Sequence, residues 1–142
     1  MRPIHRFALL LPLLAACGEG PTDPGDYSLE GTWRGGFPLE LELDLDQDGE
    51  NRVTGTGLVR ALETVPDPTT PGAVDTIVTG TVEFDVRGDW DYPGFELRLY
   101  SEGYADAEYA GSFTAPDSIG GALRGSGFGS AAIVITRQTD EP

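Results

Sequence analysis

Three aspartates separated by single residues, Asp44, Asp46 and Asp48, are the part of this sequence that most resembles a metal site. Hard cations such as Ca²⁺ are held by carboxylate and carbonyl oxygens, and this spacing opens the calcium loops that lie between two helices. Those loops need a bidentate carboxylate at their twelfth position, which is Gly55 here. We therefore expect a polar turn between two strands, with adventitious calcium binding by Asp46, Asp48 and Glu50 as the alternative.

The N-terminal residues have the three-part pattern of a secretory signal peptide. Arg2 and Arg6 supply positive charge, residues 7–14 form an apolar run, and two alanines lead to the single cysteine, Cys17. A membrane-spanning helix needs about 20 apolar residues, and this run is much shorter. We therefore expect residues 1–16 to be removed on export.

The stretch Leu14-Ala15-Ala16-Cys17 resembles the lipobox of bacterial lipoproteins. This resemblance implies that the signal is cut just before Cys17 and that Cys17 carries a covalent lipid such as palmitate, which anchors the chain to a membrane without crossing it. Gly18 stands where an aspartate would retain such a protein in the inner membrane, so the resemblance favours the outer membrane of the cell envelope. The alternative is a secreted protein with one unpaired thiol. Residues 17–27 then form a flexible tether.

Removal of the signal peptide would leave a chain without histidine, lysine or a free thiol. His5 lies in the signal, the sequence contains no lysine, and its nine basic residues are all arginines. Catalytic triads, histidine-ligated zinc sites, P-loops and Schiff-base lysines each need a residue that is absent. Carboxylate-based hydrolysis needs two acids across a shared cleft, and the sequence places no such pair. We therefore expect no enzymatic activity and no cofactor beyond the lipid.

The charge of the chain is strongly negative. Seven arginines beyond the signal stand against 24 Asp and Glu residues. This excess repels phosphate backbones, so nucleic-acid binding is not expected. The simplest role of the charge is to keep the protein in solution.

Apolar and polar residues alternate through most of the chain after the tether. In LELELDLD, residues 39–46, the leucines fall on one side of a strand and the acids on the other. Residues 74–86, 95–99 and 133–135 repeat this period of two. Together with the turn residues between the runs, the pattern predicts strands near residues 29–34, 37–45, 52–62, 75–87, 94–101, 107–114, 118–126 and 130–138.

Short connections between consecutive strands make them antiparallel neighbours. The predicted fold is therefore all-β, an eight-stranded antiparallel up-and-down β-barrel over residues 28–138, with a short tail at residues 139–142. Closure removes the exposed sheet edges, and eight strands enclose an interior that side chains fill or that one small ligand occupies.

A glycine followed by Thr or Ser recurs in four of the predicted strands. Glycine weakens a strand unless the sheet bends sharply there or another group approaches closely. We therefore expect sharp bending of the barrel wall at Gly55, Gly80, Gly111 and Gly125.

Gly31-Thr32-Trp33 on the first strand resembles the G-x-W motif of the calycin barrels, the lipocalins and avidins. Those families often place an arginine of the last strand against that tryptophan, and Arg137 is the matching residue. The resemblance implies that Trp33 and Arg137 close the barrel by cation–π packing. It does not extend to the biotin site of the avidins, because Gly35 and Gly57 stand where biotin binders have a polar residue and a tyrosine.

Successive connections of an up-and-down barrel alternate between its two ends. We call the end that receives the tether the base, and we expect Trp90 and Tyr92 to fold back over it. The opposite end, the free end, would carry the long loop 63–73, which the avidin resemblance makes a lid. Tyr104 and Phe128 are the candidate ligand-binding residues at the free end.

Two functions fit these features. The first is a membrane-anchored, extracytoplasmic lipoprotein whose barrel binds a small apolar or amphipathic ligand, or a partner protein, at its free end. The second is a structural or inhibitory envelope lipoprotein with a filled barrel and no small-molecule ligand. The state of the barrel interior distinguishes them, since the fold alone does not.

Overall fold

The computed structural model describes residues 25–125 and 128–139, and of Phe128 it describes only the backbone. The signal peptide, Cys17 and most of the tether lie outside these residues, as does the tail after Thr139. Within the described residues, the chain forms strands and no helix. The strands are β1 (Gly31–Gly35), β2 (Leu39–Gln47), β3 (Arg52–Pro66), β4 (Val74–Asp91), β5 (Gly94–Tyr100), β6 (Ala107–Ala115), β7 (Ser118–Gly125) and β8 (Phe128–Arg137).

The strands form one closed sheet in chain order. Each strand pairs antiparallel with the next, and β8 returns to pair with β1. Trp33 lies opposite Arg137 at this closing seam. The predicted fold class, an eight-stranded antiparallel barrel, is confirmed.

The inward face of the barrel wall is apolar. Leu41, Leu43 and Leu45 are buried, whereas Asp44 and Asp46, which alternate with them, are exposed. No polar or charged residue is buried among the described residues. The buried core consists of Leu29, Trp33, Leu41, Leu43, Leu45, Val53, Val59, Phe84, Val86, Trp90, Phe95, Leu97, Leu99, Ala107, Tyr109, Ile119, Leu123, Ile133 and Ile135.

Large side chains occupy the middle of the barrel. The ring of Tyr109 on β6 is fully buried and lies 5.4 Å from the ring of Phe95. Its hydroxyl donates a hydrogen bond to the carbonyl oxygen of Ile133 on β8, at 3.1 Å, which satisfies a group that burial would otherwise penalise. The same burial raises the pKa of the Tyr109 hydroxyl. The interior is therefore filled by side chains.

Some of the recurring glycines lie where a neighbouring strand comes very close. A Cβ atom at Gly55 would overlap the carbonyl oxygen of Asp44, and one at Gly111 would overlap that of Gly120. Gly80, in contrast, has no atom near the position of a Cβ. At Gly125, where φ is +93°, a Cβ atom would lie 2.6 Å from the carbonyl oxygen of Asp106. The close approach of the wall thus explains glycine at three of these positions, and nothing in the structure explains it at Gly80.

The hairpin formed by β3 and β4 is longer than the sequence pattern predicts. The pattern predicts a loop over residues 63–73, whereas β3 continues to Pro66 and β4 begins at Val74. Valine, threonine and isoleucine extend the strand period on both sides, and only residues 67–73 form the connection. The predicted loop is therefore shorter than expected, because residues 63–66 belong to the two-stranded hairpin. Its role as a lid stays a prediction.

Candidate functional site

The base of the barrel is closed by Trp33 and Arg137. The guanidinium carbon of Arg137 lies 4.3 Å from the centroid of the Trp33 ring, and the indole is fully buried. The Trp33 Nε1–H donates to the carbonyl oxygen of Leu29 at 2.9 Å. Arg137 also donates to the carbonyl oxygens of Ser28, at 2.6 Å, and Glu30. The last strand thus holds the segment through which the chain enters the barrel.

Further aromatic rings seal the base. The ring of Tyr27 lies 5.0 Å from Tyr92 and 5.3 Å from Phe113, and Phe113 lies 6.0 Å from Trp33 and 6.2 Å from Trp90. The sequence predicts that Trp90 and Tyr92 fold back over the base, and both pack there, with their rings 6.2 Å apart. Trp90 does so from within β4, which extends to Asp91, and not from a turn, and it is 6% exposed. Its Nε1–H has no hydrogen-bond partner among the described residues. Among the described residues, these rings pack together across the base of the barrel.

Replacing Arg137 with alanine is expected to lower the free energy of unfolding by about 1–2 kcal/mol, because it removes a cation–π contact and charge-assisted hydrogen bonds. Lysine at this position should recover only part of the loss, since it cannot stack and donate in the same way. Urea unfolding monitored by circular dichroism measures both. Val134→Ala, an exposed position on the outward face of the same strand, is the control and should stay within about 0.5 kcal/mol of wild type. Equal stability of Arg137→Ala and wild type would contradict the closing role.

The turn between β2 and β3 is organised by an arginine. Arg52 Nε lies 2.8 Å from Asp48 Oδ2, and Arg52 Nη2 lies 2.9 Å from Glu50 Oε2. The hydrogen bond from Arg52 holds the pKa of the Asp48 carboxyl below its usual value. Asp46 is exposed on the outer wall, and in residues 25–125 and 128–139 no group of three acidic, histidine or cysteine side chains is placed to hold a metal. Calcium binding here stays a prediction, and the geometry favours the turn.

The free end carries most of the exposed apolar side chains. The connections after β1, β3, β5 and β7 lie at this end, and they or their flanking strands contain Phe37, 61% exposed, Val74, 65% exposed, and Tyr104, 58% exposed. Among the strongly exposed large apolar side chains of the described residues, only Val134 lies away from the free end, on the outer wall. Tyr104 is therefore at the free end as expected. The side chain of Phe128 lies outside what the structure describes.

The most prominent feature of the free end is the part of the β3–β4 hairpin that extends beyond its neighbours, which we call the arm, residues 62–78. The ladder between β2 and β3 ends at Leu39 and Ala61, with one further hydrogen bond from the Leu62 N–H to the Pro38 carbonyl at 2.8 Å. A bulge follows directly, between Ala61 and Leu62. Beyond it the two strands of the arm pair only with each other.

One face of the arm is uncharged. Directly opposed residues of an antiparallel pair lie on the same face, and Leu62 is opposite Val78 while Pro66 is opposite Val74. A Thr–Thr pair lies between them, so this face consists of Leu62, Thr64, Pro66, Val74, Thr76 and Val78. In a chain with 24 acidic residues, an exposed face without charge is a candidate binding surface. Sequence reasoning missed the arm, although the alternation of Val, Thr and Ile on both sides of the prolines was the signal for it.

An acidic groove of about 440 Å³ lies on the outer wall beside the root of the arm. It is open to solvent and is lined by residues of β2, β3 and β4, by the end of β5 and by the connection that follows β5. Such a wall repels anions and attracts cationic groups. Its lining carries five carboxylates, from Glu42, Asp44, Glu83, Asp85 and Glu102, and two aromatic side chains, from Phe84 and Tyr100.

The chain matches no protein-family model and no curated relative. Among the residues that the structure describes, no helix is long and apolar enough to cross a membrane.

Proposed function

We propose that this protein is a lipid-anchored lipoprotein of the bacterial cell envelope whose barrel binds a partner protein through its free end. The observation that supports the proposal is that the barrel interior is filled while the apolar side chains of the arm are exposed. Exposure of Val74, Ile77 and Val78 to water is unfavourable in an isolated barrel, and contact with a partner would remove it.

The filled interior argues against a small ligand inside the barrel. Ligand pockets are concave and combine apolar walls with a few well-placed polar groups. The described interior contains only apolar side chains and Tyr109, whose hydroxyl is already bound to Ile133. Of the two functions that the sequence suggests, the proposal therefore takes the protein partner from the first and the filled barrel from the second.

The position of the tether suits this function. The described chain begins at the base, where Tyr27 packs among the aromatic rings, and the arm lies at the opposite end. A tether of residues 17–27 spans at most about 40 Å when extended. A lipid on Cys17 would hold the base toward the membrane and direct the arm away from it.

The anchor is tested by growing cells with labelled palmitate and comparing the full-length protein with its Cys17→Ala variant. Wild type is expected to incorporate label and to fractionate with the envelope membranes. The variant should carry no label and leave the membrane fraction. A membrane-bound, unlabelled wild type, or a variant that keeps its label, would refute the anchor.

The binding surface is tested by placing a photo-crosslinking amino acid at Val74 or Tyr104, at the free end, and at Val134 on the wall as the matched control, since all three side chains are more than half exposed. Crosslinked adducts are expected in intact cells from the two free-end positions and not from Val134. Adducts from Val134 alone, or from none of the three, would refute partner binding at the free end.

A further inference from the structure

One edge of the closed sheet is unpaired near the free end. β4 pairs with β3 along its length, but β5 joins it only from Asp85 onward. From Val74 to Phe84, no strand of the described chain lies on the other side of β4, and no backbone hydrogen bond from another described element reaches it. An unpaired edge of this length is a template for an additional strand.

The backbone groups that this edge offers can be assigned from the ladder. The N–H of Trp90 donates to the carbonyl oxygen of Asn51 at 3.0 Å, so even-numbered residues in this part of β4 direct their backbone groups toward β3. Alternate residues of a strand direct theirs toward opposite edges. The N–H and carbonyl groups of Thr81 and Glu83 therefore point to the unpaired edge. Residues 76–82 along it carry no charged side chain.

Negative charge flanks this uncharged stretch on both sides. Asp75 precedes it, and Glu83, which also lines the acidic groove, follows it. The basic residue opposite the stretch is Arg60, which pairs with Thr81 across the ladder. Its guanidinium is already engaged by Glu40, at 2.6 Å, and Glu42, at 2.9 Å. The edge is thus an uncharged, hydrogen-bonding strip with an acid at each end, and neither acid forms an ion pair with a described residue.

A second copy of this chain fits the edge poorly. Two copies that pair antiparallel along this edge would bring Asp75 and Glu83 of both chains into one interface. Like charges brought together in a strand pair are destabilising, and the formal net charge of each chain is −15. The charge pattern therefore selects a partner of opposite sign.

We propose that the unpaired edge of β4 binds an extended, basic segment of the partner protein as an added strand. The segment carries small or β-branched residues at its centre and lysine or arginine where it faces Asp75 and Glu83. Main-chain hydrogen bonds to Thr81 and Glu83 give affinity, and the flanking charges give specificity. This inference rests on the proposed partner binding at the free end and names the chemistry of the partner.

The test uses the full-length lipoprotein purified in detergent and two fluorescent peptides. Both alternate valine and threonine at the centre, one with lysines and the other with glutamates at its two ends. Fluorescence anisotropy is expected to show binding of the lysine peptide, weakened by salt, and at least about tenfold weaker binding of the glutamate peptide. Hydrogen exchange at the amides of Thr81 and Glu83 should slow when the lysine peptide binds.

Variants separate the backbone and charge contributions. Thr81→Pro removes an N–H from the unpaired edge while leaving the ladder with β3, since proline is tolerated only where its nitrogen faces away from the sheet. It should weaken the lysine peptide about tenfold, whereas Thr81→Ala, its control, should not. The double variant Asp75→Lys/Glu83→Lys keeps the edge and should reverse the preference between the two peptides.

Equal binding of both peptides, an unchanged preference in the double variant, or unchanged exchange at Thr81 and Glu83 would overturn the proposal. So would a wild-type dimer in sedimentation that Thr81→Pro dissociates, because it would assign the edge to a second copy. If crosslinks from Val74 and Tyr104 form in cells while the lysine peptide fails to bind, partner binding stands and the added strand is wrong. If the peptide binds but no crosslinks form in cells, the proposed partner binding at the free end is refuted, although the edge can accept a strand.

Discussion

Replacing Trp33 with alanine is expected to lower the free energy of unfolding by about 3–5 kcal/mol, the cost of removing a large aromatic side chain from a core. The indole is fully buried, carries the guanidinium of Arg137 on its face and contacts Phe113. Its loss would open the base and leave the Leu29 carbonyl without its donor. Urea unfolding monitored by far-ultraviolet circular dichroism gives the value, and a loss below about 1 kcal/mol would contradict this account.

The two tryptophans of the core provide a matched comparison for that result. The Nε1–H of Trp33 has an acceptor, whereas that of Trp90 has none among the described residues. Phenylalanine removes the N–H and keeps most of the ring. Trp33→Phe should therefore be more destabilising than Trp90→Phe by about 1 kcal/mol, the net value of one hydrogen bond. The reverse order would show that ring volume, not the hydrogen bond, governs both positions.

Valine at Gly111 is expected to destabilise the protein by about 3 kcal/mol, whereas valine at Gly80 should be neutral or stabilising by up to about 1 kcal/mol. At Gly111 the new Cβ would overlap the carbonyl oxygen of Gly120 on the adjacent strand. The backbone of Gly120 cannot move aside without separating β6 from β7. At Gly80 the space is open. Thermal unfolding of the two variants tests the difference in sign, and equal effects would show that the close approach at Gly111 does not control stability.

The period of two made the fold predictable from the sequence. In LELELDLD the leucines and acids can be separated only by a strand, and the same pattern recurs up to Ile135. Short connections then leave few topologies besides a meander. The filling of the interior was less predictable, because whether residues such as Tyr109 and Phe95 meet in the middle depends on the curvature of the wall, which a pattern of two does not encode.

The candidate site was only partly predictable. Tyr104 could be placed at the free end because successive connections alternate between ends. The arm was missed because prolines such as Pro66 suggest a loop, whereas a two-stranded hairpin tolerates proline at its edges. The placement of Trp90 in a strand was missed for a related reason, since the Arg87-Gly88 pair suggests a turn but β4 passes through it without a break.

The hold of Arg137 on Ser28 and Glu30 has a mechanical consequence. Any pull on the N-terminal segment reaches the guanidinium before it reaches the ladder between β1 and β2. Force entering at the start of the chain is thus shared with its final strand through Arg137 and with β2 through the hydrogen bond from the Leu29 N–H to Gln47 Oε1, at 2.9 Å. The barrel would resist peeling from that end until both contacts break.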